Sequence, residues 1–314
     1  MAEPIPVILD TDIGDDVDDF WALIMMLRSP ELDVRLITTA HGNVAFRARI
    51  VAKALQIAGR TDIPIGVGWR AAGCEQHRPC EADWAEDYDL AEYPGTIHDD
   101  GVGAICRTIR QSDRPITLVA IGALPNVAEA LRRDPAIIEN SRFVGMHGSV
   151  YQGYGGSPEP CAESNVRHHT PHCQHVFASD WHKTITPVDT CGHVRLEGED
   201  YQRIRHSDEP LLQALKTHVD LYTAHAPWVK GYDPEARSST LFDTVAVYLA
   251  FSEELVRIET LPIVVTDDGY TRVDDAGKPV RCALLWTDAP RLMALPEARM
   301  DAVLKRARAR SGAA

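Results

Sequence analysis

The chain has no long apolar run: nowhere do its 314 residues approach the roughly 20 consecutive apolar positions that a membrane-spanning helix needs, so no membrane partner is expected. Its opening, MAEPIPVILD, places an early Glu and two prolines where a secretory leader has a basic start and an apolar core. Basic residues are in short supply, 32 Lys and Arg against 46 Asp and Glu, for a formal net charge of −14. A surface of that sign repels a phosphate backbone and argues against nucleic acid as a partner. Cysteines number only seven and are scattered; an odd, unclustered set fits a cytoplasmic location rather than a disulfide framework. Internal repeats, low-complexity linkers and a visible domain boundary are also lacking, so the chain reads as a single domain over 1–314. The remainder is ordinary globular composition, 45% hydrophobic and 25% charged, which can bury a proper core.

Short apolar runs alternate with segments of helical period. PVILD (6–10) reads as a buried strand, 18–29 as a helix stopped by Pro30, DVRLITTA (33–40) as a strand, and 46–59 as a helix closed by Gly59. DIPIGVG, ITLVAIG, RFVGMHG and KTITPVD continue as strands with helices between most of them. This alternation predicts an α/β fold with a doubly wound, mainly parallel sheet flanked by helices. Residues 261–286 predict a C-terminal β-hairpin or meander followed by a last helix. Residues 68–98 and 149–175 break the rhythm and read as long irregular segments, which in compact domains are usually functional or disordered. In such sheets a ligand sits beyond the carboxyl ends of the strands.

That is where the acid is concentrated. ILDTDIGDDVDDFWAL carries aspartates at 10, 12, 15, 16, 18 and 19, between a strand end and a helix start. Two unit charges about 4 Å apart repel by about 4 kcal/mol at an effective dielectric of about 20. Converging carboxylates must therefore take up protons, splay into water or bind a cation. Asp at a helix start is mildly favourable on its own, but Asp10 and Asp12 leave a buried strand with Gly14 turning the chain, which steers both toward a site. Oxygen ligands in number favour Ca²⁺ or Mg²⁺. The spacing is not that of an EF-hand loop, because Gly14 is the fifth residue and Trp21 the twelfth counted from Asp10.

The stretch resembles the signature of the inosine/uridine-preferring nucleoside hydrolases, Asp-Thr-Asp-Pro-Gly-x-Asp-Asp, with Ile13 for the proline and two extra residues before Asp18-Asp19. Further elements resemble that family in order: TTAHGNV with Asn43, HDDGVG with His98, ITLVAIGALPNVAEAL with Pro125, CAESNV with Glu163 and Asn165, and LFDTVAV with Asp243. The resemblance implies a nucleoside hydrolase-like domain, a small-molecule nucleoside substrate, a homo-oligomer (dimer or tetramer) and a Ca²⁺ cofactor. It assigns the metal to Asp12, Asp243, one or more of Asp16, Asp18 and Asp19, and the backbone carbonyl of Pro125. It also assigns a calcium-held water deprotonated by Asp12, and substrate contacts to Asn43, His98, Glu163, Asn165 and Phe242. The expected activity is cleavage of a ribonucleoside to free base and ribose.

Residue types alone give blander readings: Asn43 as a turn or cap residue, His98 as a solvated loop histidine, Glu163 and Asn165 as loop polarity. HHTPHCQH (168–175) and CEQHRPC (74–80) match no standard zinc spacing. Three positions depart from the family: Ser157 and Ser164 replace an Asn and a Phe, and Phe242 stands where a His proposed as leaving-group acid precedes the late metal Asp. The missing acid is expected from the irregular segments, as His98, His168 or His169, or is replaced by stacking on Phe242, Trp84 or Trp228. Two alternatives remain. VILDTD and IVVTDDG resemble motifs of haloacid-dehalogenase-like phosphohydrolases, although Gly14 stands where Thr or Val is usual and Asp267-Asp268-Gly269 reads as a hairpin turn. The other is a nucleoside- or ribose-binding relic without turnover.

Overall fold

The computed structural model describes residues 3–287. The expected alternation is present as β1 (Ile5–Thr11), α1 (Asp18–Leu27), β2 (Leu32–Thr39), α2 (Val44–Ile57) and β3 (Ile65–Val67). Segment 68–98 is irregular, as its composition indicated; it holds three short 3-10 turns and ends in the two-residue strand β4 (Ile97–His98). Then come α3 (Gly101–Gln111), β5 (Ile116–Ala120), α4 (Pro125–Arg133) and β6 (Ser141–Met146). The second irregular segment needs correction, because its latter half forms α5 (Ser164–His168) and α6 (Thr170–Phe177). Pro171, in a stretch that reads as irregular, stands at a helix start, where the N–H that proline lacks has no helical partner to lose. The chain continues through β7 (Lys183–Thr186), α7 (Val188–Cys191), α8 (Gly198–Arg205), α9 (Pro210–His225) and α10 (Phe242–Phe251). The C-terminal element is a meander that starts earlier than its apolar run suggested: β8 (Val256–Val265), β9 (Thr271–Val273) and β10 (Lys278–Trp286). Asp267-Asp268-Gly269 is its first turn, with Gly269 at φ +83. The helix expected after it lies outside the described residues.

The ten strands among the described residues join one sheet in the order β4-β3-β2-β1-β5-β6-β7-β10-β8-β9. Neighbours from β4 to β7 pair in parallel, β10 joins β7 in parallel, and β8 and β9 complete an antiparallel edge. Apolar clusters fill both faces. One holds Phe20, Trp21, Leu55, Leu215 and Tyr248 from α1, α2, α9 and α10; the other holds Ile105, Val127 and Phe177 from α3, α4 and α6. The strand order reverses between β1 and β5, so the connections leaving these strands diverge and open a crevice at their carboxyl ends. Asp12 follows β1 at that crevice, and Gly122 follows β5.

Beneath the crevice a polar clamp locks three strand ends. The Asn126 amide donates to Asp10 Oδ1 (2.7 Å) and to the Thr39 carbonyl (3.0 Å), while its own oxygen accepts from Trp69 N (2.6 Å). Thr38 Oγ1 donates to the same Asp10 oxygen at 2.5 Å. Burial pushes the Asp10 carboxyl up to about 7 against these hydrogen bonds. Gly68 passes so close that a Cβ there would collide with the Thr39 carbonyl and stand 2.5 Å from Asn126 Nδ2. Gly68→Ala is therefore expected to lose about 2 kcal/mol or more of stability by overpacking. Urea melts check this, and an unchanged midpoint would show that the strand ends are not tightly clamped.

Candidate active site

A cavity of about 920 Å³ occupies the crevice. Its acidic side is built by the β1–α1 loop. Gly14, at φ +116, turns the chain where only glycine is at ease, and a Cβ there would stand 2.7 Å from Ile50 Cδ1. The loop then presents Asp12, Asp16, Asp18 and Asp19 to the cavity, and Asp243 enters from the first turn of α10. One carboxylate oxygen from each of Asp18, Asp19 and Asp243 lies within 4.8 Å of the other two, and all three residues are buried. The Thr11 hydroxyl donates to Asp19, and Asp243 N donates to Asp18 Oδ2 at 3.3 Å.

Burial and then mutual repulsion push the carboxyls of Asp18, Asp19 and Asp243 well above the usual range. Burial raises Asp12 to about 6 against the charge of Arg47, and raises Asp16 to about 6 with help from Glu81. Asp16 Oδ1 is buried without a hydrogen-bond partner. These groups hold together either by retaining protons or by sharing a cation. An all-carboxylate donor set with unsatisfied oxygen fits a hard divalent ion such as Ca²⁺.

The rest of the lining mixes polar groups with the aromatic rings of Tyr154, Tyr222, Trp228 and Phe242. Glu163 caps α5, accepting from Gly148 N (2.9 Å), Asn165 N (2.7 Å) and Val166 N (3.2 Å), while burial raises its carboxyl to about 7 against these bonds. The Asn165 amide nitrogen is occupied by the carbonyls of Ile121 (2.9 Å) and Met146 (3.0 Å). Its oxygen is thus the group left to meet a ligand. Phe242 stands edge-on to Tyr154, ring centroids 5.8 Å apart, and Tyr154 donates its hydroxyl to Glu163 at 3.3 Å. Tyr222, which donates to Asp16 at 3.4 Å, and Trp228 complete the aromatic set.

A sequence profile of the inosine-uridine preferring nucleoside hydrolases matches residues 7–304. The chain belongs to that family. It is 26% identical over 314 residues to "Probable uridine nucleosidase 2" of Arabidopsis thaliana, covering 95% of each chain. It is 28% identical over 228 residues to a pyrimidine-specific ribonucleoside hydrolase, RihA, of Citrobacter koseri, covering 69% of this chain and 71% of that one. The fold matches a plant nucleoside hydrolase, PpNRh1 (TM-score 0.80, 23% identity, 94% of this chain and 98% of that one). It also matches a purine-preferring ribonucleoside hydrolase from Gardnerella vaginalis (TM-score 0.78, 21% identity, 94% and 97%). The family match removes the phosphohydrolase alternative.

As in a nucleoside hydrolase fold read from its motifs, Asp12, Asp16, Asp18, Asp19, Asp243, Glu163, Asn165 and Phe242 line one cavity. Three expected residues do not. Asn43 caps α2, accepting from Phe46 N at 3.1 Å and donating to the Glu75 carbonyl at 3.1 Å, so its amide is engaged outside the cavity. His98 sits on β4 opposite Gly66 and is not among the lining residues. Pro125 is the buried first residue of α4 and is not among the lining residues. Asp10 lies in the clamp below rather than at the cavity surface. Of the candidate acids and stacking rings, His168, Phe242 and Trp228 line the cavity, whereas Trp84 packs against Phe20 (5.7 Å) and His218 (4.5 Å).

Sequence reasoning missed a second set. Asp15 also lines the cavity, but its oxygens are paired, with Arg47, His77 and Cys80 N. Burial would raise its carboxyl, but His77 (2.7 Å) and Arg47 (2.5 Å) hold it well below the usual range. His41 and His77 line the cavity, and His41 Nδ1 lies 3.0 Å from His169 Nε2. No local pattern signals these contacts, because the β2–α2 loop and segment 68–98 meet only in the fold.

The raised carboxyls fix the sign of a pH effect. A carboxyl whose folded pKa exceeds its unfolded one contributes stability at low pH and loses it as pH rises through the folded value. With Asp12 and Asp16 at about 6 and Asp10 and Glu163 at about 7, these groups should cost the chelated protein stability progressively between about pH 4 and about pH 7. A divalent cation replaces the lost protons, so thermal stabilisation by CaCl₂ should be larger at the upper pH. A calcium-induced shift equal at both pH values would contradict this electrostatic account.

Proposed function

We propose that the chain hydrolyses the N-glycosidic bond of ribonucleosides to free base and ribose, with Asp12 as general base and Ca²⁺ as cofactor. The observation that carries this reading is the convergence of Asp12 with the buried trio Asp18, Asp19 and Asp243 in a cavity that also carries aromatic rings. Family membership and the names of its relatives support the reaction. Asp12, Asp18, Asp19 and Asp243 would hold the ion, with Asp16 within reach of the same cavity. When bound, calcium supplies charge that orients and acidifies an attacking water and fixes ribose hydroxyls.

Asp12 faces the cavity with its carboxyl at about 6, which makes it a stronger proton acceptor than an ordinary aspartate. The Asn165 oxygen and the Glu163 carboxylate, both fixed by backbone contacts, accept from sugar hydroxyls and hold the ring as positive charge develops at the anomeric carbon. Phe242, Tyr154 and Trp228 offer ring faces and edges to the base. Phe242 has no proton to give, so stacking and the neighbouring hydroxyls take a larger share of stabilising the departing base. We also infer a cytoplasmic location, with which seven free cysteines agree, and, from family membership alone, a homo-oligomer, dimer or tetramer.

The test is a panel of purine and pyrimidine ribonucleosides assayed for free base with and without EGTA. Base release abolished by chelator and restored by calcium is expected. Asp12→Asn should lower kcat by at least about 100-fold. Full activity in Asp12→Asn would remove it from the mechanism, and tight nucleoside binding without base release would favour the non-catalytic binding relic suggested by Phe242.

A further inference from the structure

Arg47 lies on α2 and its side chain is 0% exposed. Its Nε donates to the His41 carbonyl (2.7 Å), Nη1 donates to the carbonyls of Asp12 and Ile13 (2.7 Å to Ile13), and Nη2 meets Asp15 Oδ2 at 2.5 Å. One guanidinium thus ties the β1–α1 loop to the β2–α2 loop, directly behind the acidic side of the cavity. It also packs against the two glycines that turn these loops. A Cβ at Gly14 would stand 3.7 Å from Nη1, and one at Gly42 would stand 3.2 Å from Nη2. His41, whose carbonyl it grips, is the single non-glycine residue with positive φ (56°) among the described residues. Such backbone persists only where its surroundings hold it.

We propose that Arg47 is a positioning residue that fixes the main chain of Asp12, and through it the carboxylate that takes the water proton and binds the cation. The loop needs an external hold. Ile13 stands where a proline would restrict φ, Gly14 adds freedom, and two extra residues lengthen the path to Asp18. Carbonyls accept readily from a planar fork with fixed donor directions, which lysine does not have. The proposal rests on Asp12 being both base and metal ligand, as argued above. The competing account is that Arg47 only supplies positive charge or fills space, and Arg47→Lys separates the two because it keeps the charge and loses the fork.

The holoenzyme and Arg47→Lys are compared by calcium calorimetry and by steady-state kinetics on the best nucleoside of the panel. Arg47→Lys is expected to bind calcium at least about tenfold more weakly, and at saturating calcium to lose at least about tenfold in kcat with KM within about threefold of wild type. Millimolar guanidinium chloride should restore part of the kcat of Arg47→Ala, where sodium chloride at equal ionic strength does not. A folded Arg47→Lys with wild-type kcat and wild-type calcium affinity overturns the proposal, even if its melting temperature falls. Should neither Arg47 variant fold, Asp15→Asn releases the guanidinium from its carboxylate, and kcat must then drop at least about threefold; an unchanged kcat overturns the proposal. If wild type binds calcium but releases no base, the functional reading fails, and calcium affinity alone decides the role of Arg47: unchanged affinity in a folded Arg47→Lys, or in Asp15→Asn if neither Arg47 variant folds, overturns it. Absence of wild-type calcium binding overturns both.

Discussion

Seven carboxyl groups line one cavity at the point where the sheet reverses direction, and the repulsion among five of them, Asp12, Asp16, Asp18, Asp19 and Asp243, is the constraint around which the rest is arranged. Each buried pair costs kcal/mol unless protons or cations intervene. The fold answers locally where it can. Thr11 donates to Asp19, Tyr222 to Asp16, and the main chain of α10 to Asp18. Asp15 is paired with Arg47 and His77. What these bonds leave is the mutual repulsion of Asp18, Asp19 and Asp243 and an unpartnered Asp16 Oδ1, and a divalent cation is the partner whose chemistry matches them.

The rigid surroundings explain why such a cluster persists. β1 and β5 run parallel through the centre of a ten-stranded sheet, with Asp10 registered against Ala120 and Thr39 against Thr11 on the other side. The clamp of Asn126 and Thr38 on Asp10 fixes these strand ends from below, and the Arg47 guanidinium fixes the loops from behind. Catalytic geometry built on strand ends with such support tolerates little displacement. The aromatic part of the lining is more open: Trp228 is 53% exposed and Tyr154 43% exposed.

The alternation of strands and helices made the sheet legible in sequence, and the motif elements named most of the cavity: Asp18, Asp19, Glu163, Asn165 and Asp243 were readable because each sits at a strand end or helix start with a characteristic neighbour. Asn43, His98 and Pro125 show the limit of that method. A motif locates the segment, but side-chain direction depends on which hydrogen bond wins. At Asn43 the cap of α2 wins, as its residue type alone suggested. Arg47 was invisible because nothing in VAFRARIVAKAL distinguishes a buried arginine from a solvated one. Its role depends on two loops meeting it in space. Segment 149–175 was misread over its second half because a proline fits the first turn of a helix as readily as a loop.

The most direct measurement of the central claim is a crystal structure of the protein grown with calcium and collected for anomalous scattering. The account predicts one calcium peak per chain, coordinated by carboxylate oxygens of Asp18, Asp19 and Asp243 together with Asp12. A well-ordered cavity at neutral pH with those carboxylates in mutual contact and no ion among them would contradict it.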